Sequence, residues 1–207
     1  MQTELFGRGP RTLVDDSSGR ITYAPGAVDA ATAAQWYATL REGIEWRSER
    51  RRMYDRDVDV PRLVSWFRLE DGLPPDPLPE ARAAVVAACS VEFNSVGLNW
   101  YRGGGDSVAP HNDHIDEIVP GFPIALLSLG ATRLMTIRSK TRPRRSFDID
   151  LEPGSLLVMS YETQLHYDHG IPKTAASIGG RISLAFRVRT ATLTRAEKAK
   201  ARPVRDA

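Results

Sequence analysis

A single cysteine, Cys89, in 207 residues rules out an intramolecular disulfide and a thiolate zinc cage. A reducing, intracellular setting is therefore expected. No apolar run approaches the roughly eighteen residues that a membrane-spanning helix requires. Met1 to Gly19 shows no apolar stretch followed by a cleavage-like site. A soluble, cytoplasmic protein without membrane contacts is the expectation. Nor does either sign of charge dominate: 28 Lys and Arg against 26 Asp and Glu leave a formal net charge of +2. Net charge by itself therefore gives no sign of a nucleic-acid partner. Aromatic residues are sparse at 8%, yet apolar residues reach 42% and charged residues 26%, a balance that argues against disorder. The length suits one sizeable domain and is short for two.

What is present changes character along the chain. Asp29 is placed to cap a helix over about Ala30–Glu45, with Ala33, Trp36, Tyr37, Leu40 and Ile44 at helical spacing. Trp46–Phe67 mixes Met53, Val58 and Val60 with charges and is interrupted by Pro61, which predicts short strands or a hairpin-like flap. Trp66 is read as core. A turn-rich segment over Gly72–Pro79 leads to a second helix over Leu78–Cys89. From residue 96 on, short strands follow one another: 96–101, 123–129, 133–138, 147–151, 154–159 and 181–189. Gly and Pro turns between them predict a sandwich or barrel. The chain is thus expected to be one domain, with a helical and lid portion (1–95), a β-core (96–190) and a basic tail (191–207).

The chemistry lies in the β-core. His111 and Asp113, two apart, face the same way on a strand, and His169 lies downstream at the end of another predicted strand. Two imidazoles and one carboxylate can hold one face of an iron(II) ion and leave the opposite face open. In Arg181–Val188 the residues Ile182, Leu184, Phe186 and Val188 face one way, and Arg181, Ser183, Ala185 and Arg187 the other. Two arginines on one strand face suit a small dianion, because a guanidinium donates two parallel hydrogen bonds to a carboxylate. Asn99 and Tyr101 form a further polar pair at the entrance to the same core. The remaining histidines, His114 and His166, are read as neighbouring or surface residues rather than ligands.

Several runs share an order and spacing: Pro61-Arg62-Leu63-Val64-Ser65-Trp66-Phe67, Asn99-x-Tyr101, His111-x-Asp113, Ser128-Leu129-Gly130-Ala131-Thr132-Arg133, Gly154-Ser155-Leu156-Leu157-Val158-Met159, Gln164, His169-x-x-Pro172-Lys173 and Arg181-x-Ser183-Leu184-x-Phe186-Arg187. Over about residues 50–190 this set resembles the AlkB-like 2-oxoglutarate/iron(II) dioxygenases. The resemblance implies an α+β fold: a double-stranded β-helix (jelly-roll) core with flanking N-terminal helices and a substrate-lid flap. It implies iron on His111, Asp113 and His169. It further implies 2-oxoglutarate held by Arg181, with Asn99, Tyr101 and Ser183 as further contacts and Arg187 beside the iron-bound carboxylate. Dioxygen is the co-substrate. The implied reaction converts 2-oxoglutarate to succinate and CO2 while an N-methyl group is hydroxylated and lost as formaldehyde.

The implied partner is DNA or RNA carrying alkylated bases, acted on by a monomer. Arg51, Met53 and Tyr54 in the flap, together with Asp116 and Glu117, are the candidate substrate contacts. Arginine can hold phosphates while an aromatic ring stacks on an extruded base. Asp116 and Glu117 stand one or two residues later than the acidic pair of the familiar members. That shift keeps open an oxygenase acting on a non-nucleic-acid substrate. A nucleic-acid binding module without turnover is a separate alternative, although such a module has no need of His111, Asp113, His169 or the two arginines.

Overall fold

The computed structural model describes residues 9–53, 56–72 and 74–190, with the backbone alone over 49–53 and 56–59. The flap side chains of Arg51, Met53 and Tyr54 and the tail 191–207 lie outside the described residues. Strands β1 (Arg11–Asp16) and β2 (Gly19–Ala24) precede helix α1 (Ala30–Gly43). Then come β3 (Arg47–Met53), β4 (Arg56–Arg68), α2 (Leu78–Cys89), β5 (Ser95–Tyr101) and β6 (Val108–His111). The rest of the chain forms β7 (Ile124–Gly130), β8 (Arg133–Ser139), β9 (Ser146–Leu151) and β10 (Leu156–Met159). A single helical turn, α3 (Thr163–His166), leads to β11 (Tyr167–Ile171) and β12 (Arg181–Arg187).

Local chemistry accounts for the helices. The Asp29 carboxylate accepts the N–H groups of Ala31 and Thr32, each at 3.0 Å, satisfying two of the donors that a helix start leaves unpaired. Helix α1 then buries Ala33, Trp36 and Leu40, and α2 buries Leu78, Ala81 and Val85.

The strands form two sheets. The larger has eight strands in the order β1-β2-β10-β7-β12-β5-β4-β3, and the smaller has four in the order β6-β11-β8-β9. All the pairings are antiparallel. This is the double-stranded β-helix expected from the resemblance. Between the sheets lies an inner core that includes Ile21, Tyr23, Leu126, Met135, Ile137, Leu157 and Ala185. On the outside of the larger sheet a second core joins Leu98, Leu127, Ile182, Leu184 and Phe186 to both long helices. Strand β12 sits centrally between β7 and β5, so its two faces belong to different cores.

Both expected helices are present within the first 95 residues, but residues 11–24 add strands that were not expected there. β1 and β2 form a hairpin that extends the larger sheet, with β2 paired to β10. Their sequences, RTLVDD and GRITYA, are mostly polar because this edge buries only Val14, Ile21 and Tyr23, leaving a thin hydrophobic signal. Pro61 does not end its strand: β4 runs through it, and the pairing with β3 shifts register between Ser48 and Arg50. A proline is tolerated at such an irregularity because no ladder hydrogen bond is demanded there. Among the described residues no helix is long and apolar enough to cross a membrane.

Gly154 anchors the start of α1 to the turn before β10. The Val28 N–H donates to its carbonyl at 3.0 Å, and Gly154 adopts φ +74°. A Cβ there would lie 2.1 Å from the Val28 carbonyl oxygen. Gly154→Ala is therefore expected to destabilise the fold by about 1–3 kcal/mol through strain and displacement of the segment before α1. Denaturant unfolding checks this, and wild-type stability would contradict it.

Candidate active site

His111 is the last residue of β6 and pairs directly opposite His169 on β11. Their rings lie 4.5 Å apart between centroids. Gly170 makes this approach possible, because a Cβ at that position would meet the β6 backbone at Val108 O, 2.9 Å away. Asp113 arrives differently from the expected strand alternation. β6 ends at His111, and Asp113 reaches the two imidazoles from the irregular stretch beyond it. The three residues place ligand atoms within 4.8 Å of one another, and they are the one such group of three found among the described residues. His114 and His166 stand outside it.

The electrostatics suit a divalent metal. His111 Nδ1 lies 3.0 Å from the Ala109 carbonyl, which can only accept, so Nδ1 carries the proton and Nε2 keeps a free lone pair. Burial lowers His111 from its ordinary value, partly offset by that hydrogen bond and by Asp113. Burial pushes His169 down to about 4, against the attraction of Asp113. Both rings are therefore neutral at neutral pH, the form that ligates metal. Burial alone would raise Asp113, but the carboxyl is held below its ordinary range, the Arg187 guanidinium being the largest of the influences that lower it. Arg187 grips that carboxylate in a fork: Nε to Oδ2 at 3.0 Å, and Nη2 to Oδ1 at 2.9 Å and Oδ2 at 2.8 Å.

The same cavity contains a second charge with no counterpart. Arg181 is 1% exposed and hydrogen bonds through Nη2 to the Ser128 hydroxyl at 2.9 Å, whereas its Nε and Nη1 have no partner. Burial, with the nearby Arg133 guanidinium, pushes Arg181 down to about 10 against the pull of Tyr101, so it stays charged at neutral pH. Arg133 and Arg181 each lie 5.5 Å from the Tyr101 ring centroid. Arg133 donates to the carbonyls of Gly103, Asp106 and Pro172. Arg181 therefore offers two free donor nitrogens where a buried cation costs most unless an anion meets it. A carboxylate could meet those two donors, and His111, Asp113 and His169, which could hold a metal ion, line the same cavity.

The other expected site residues distribute as follows. Asn99, Tyr101 and Ser183 line this cavity with the triad and both arginines. Arg62, not singled out beforehand for the site, lines it too and donates to Asn99 Oδ1 at 2.7 Å. Ser128 and Gln164 were visible only as members of the motif set, because their partners lie far away in sequence. Asp116 and Glu117 are exposed on a one-turn 3-10 helix, and Glu117 pairs with Arg189. Trp66 corrects the core assignment made from sequence: it is 62% exposed. Even-numbered residues of β4 share the sheet face of Asn99 and Gly97, so Trp66, opposite Gly97, stands in the open end of the site while Phe67 packs into the outer core. A cleft of about 370 Å³ runs along Trp66, Gly97, Glu117 and Arg189 and meets the metal cavity at Arg62 and Asn99.

Residues 20–187 match the family model described as the 2OG-Fe(II) oxygenase superfamily. The Mus musculus protein named alpha-ketoglutarate-dependent dioxygenase alkB homolog 3 is 30% identical over 187 residues, covering 81% of this chain and 65% of its own length. The Mus musculus DNA oxidative demethylase ALKBH2 is 36% identical over 117 residues, covering 53% of this chain and 49% of its own. The chain thus spans less than two thirds of the length of either relative. A solved structure titled as that of OsALKBH1 superposes with a TM-score of 0.60 at 17% identity, covering 81% of this chain and 97% of that one.

Because the Arg181 charge is incompletely partnered, Arg181→Met is expected to leave the ligand-free chain melting at or above the wild-type temperature. Succinate should raise the melting temperature of wild type and not of the variant. A large loss of stability in ligand-free Arg181→Met would contradict the assignment.

Proposed function

Since the chain belongs to the 2OG-Fe(II) oxygenase superfamily, we propose that it is an iron(II)- and 2-oxoglutarate-dependent dioxygenase that oxidatively demethylates N-alkylated bases in DNA or RNA. One juxtaposition carries the dioxygenase part: a His-Asp-His cluster and a buried, incompletely partnered arginine line a single cavity. The donor set fits the metal, since imidazole and carboxylate ligands in a three-residue facial arrangement suit non-haem iron(II). Iron(II) and 2-oxoglutarate, when bound, supply the oxidising chemistry: dioxygen is consumed, 2-oxoglutarate leaves as succinate and CO2, and an N-methyl group leaves as formaldehyde.

The chain's own residues give this chemistry its setting. His111 and His169, neutral through burial, offer lone pairs, and the forked Arg187 guanidinium is the largest influence that opposes desolvation of Asp113 and favours its ionised form. In this reading Arg181, with the Ser128 hydroxyl, takes the far carboxylate of 2-oxoglutarate. Tyr101 walls the anion pocket and places its ring against Arg181. Asn99, held by Arg62, stands where the anion pocket opens into the cleft.

Two observations support a nucleic-acid base as the group oxidised. The cleft joining the metal cavity carries an exposed indole, Trp66, and three guanidinium-bearing residues, Arg62, Arg68 and Arg189. An aromatic platform beside arginines suits a planar base and its phosphates. The names of the relatives, one of them a DNA oxidative demethylase, point the same way. Glu117 on the cleft wall is paired with Arg189, so its carboxylate meets an amino or cationic base edge in competition with that guanidinium.

Incubation with iron(II), 2-oxoglutarate and oligonucleotides carrying 1-methyladenine or 3-methylcytosine is expected to release formaldehyde and restore the base, with Asp113→Ala abolishing both. Succinate formed without any demethylation would reject the nucleic-acid substrate. No succinate under any condition would reject the dioxygenase. Trp66→Ala is expected to raise the oligonucleotide KM by about tenfold, from the ~1–3 kcal/mol that stacking of one base contributes. An unchanged KM would remove Trp66 from the substrate surface.

A further inference from the structure

A metal ligand carried on a loop needs something other than a strand ladder to hold it. Asp113 is in that position, because β6 stops at His111 and residues 112–114 are irregular. Its backbone N–H is buried and donates to Oε1 of Gln164, 51 residues away, at 2.9 Å. Gln164 is 1% exposed on α3, and its Nε2 donates to the Thr163 hydroxyl at 3.2 Å.

Lys140, just past the end of β8, completes the arrangement. Its Nζ donates to the carbonyl of Gln164 at 2.8 Å and to Oδ1 of Asn112 at 2.9 Å. It also lies 3.6 Å from Oδ1 of Asp168, the neighbour of His169. Asn112 in turn donates from Nδ2 to the Asp113 carbonyl at 3.0 Å, and the Lys140 N–H bonds the His166 carbonyl at 2.8 Å. One ammonium group thus gathers the segment bearing Asp113, the helical turn bearing Gln164 and the strand bearing His169. Neither Lys140 nor Gln164 is among the residues lining the metal cavity or the cleft.

We propose that Lys140 and Gln164 are positioning residues for the metal centre: they fix the backbone of the Asp113 loop against β11, so that the carboxylate meets both imidazoles without rearranging. The proposal rests on the metal reading above. Partners that orient ligands in this way control how long a site keeps its metal, and removing one typically weakens metal binding roughly ten- to a hundredfold. A lost acceptor for the Asp113 N–H, or a lost donor to Asn112 and Gln164, frees the loop to swing away from the imidazoles.

The test uses metal alone, with neither 2-oxoglutarate nor nucleic acid present. Manganese(II) release into excess chelator is timed for wild type, Lys140→Met, Lys140→Arg and Gln164→Met, and cobalt(II) spectra report ligand geometry. Both methionine variants are expected to release manganese roughly ten- to a hundredfold faster. Their cobalt bands should shift, while the metal-free proteins melt as wild type does. Lys140→Arg, which keeps a cationic donor, should restore much of the slow release. Wild-type release rates in both methionine variants would overturn the proposal. So would a lowered metal-free melting temperature with unchanged release, since that would mark the pair as supports of the fold alone. Wild-type protein that binds no metal would instead defeat the metal assignment itself, and the proposal with it.

Discussion

The forked contact between Arg187 and Asp113 is the constraint on which the remaining geometry hangs. It ties the loop that follows a strand of the smaller sheet to the central strand of the larger one. It also favours the ionised form of a carboxylate against a burial that opposes it. Breaking such a pair by removing one partner costs about 3–5 kcal/mol, because the survivor is left charged and dry. Here the carboxylate has two duties: it neutralises Arg187, and it faces two neutral imidazoles that supply no charge of their own. The cavity therefore keeps the incompletely partnered positive charge of Arg181, the group to which the proposed reading assigns the co-substrate's far carboxylate.

β12 carries this division of labour in its alternation. Ile182, Leu184 and Phe186 lock the larger sheet to α1 and α2, while Arg181, Ser183 and Arg187 face the cavity between the sheets. One face supplies stability through apolar burial, and the other holds two cations whose burial is unfavourable. Having β7 and β5 on either side spares β12 the compromises of an edge, so both faces can be specialised.

This division also explains what could be read from the chain alone. The β12 alternation was legible because both faces are buried with opposite chemistries. The Asp29 cap and both long helices were legible because their signals are local. His111 and Asp113 were found as a pair for an incomplete reason, since the second residue lies past the strand end and is held there by Arg187 and Gln164. The β1–β2 hairpin escaped because an edge with three buried side chains writes almost no hydrophobic period. Trp66 was misread because aromaticity alone does not reveal which side of a strand is open. Lys140 gave no signal at all: its partners sit 24 to 28 residues away, and only the folded chain brings them together.

The order of strands in the larger sheet has a further consequence. The triad and Arg181 are built on inner strands and on the facing sheet, whereas Trp66 belongs to β4, whose outer neighbour β3 forms the sheet edge. Changes in that edge hairpin can alter which molecules are admitted without disturbing the oxidising centre. In the proposed reading, admission and oxidation are thus carried by separate parts of the sheet, joined where Arg62 and Asn99 border both spaces.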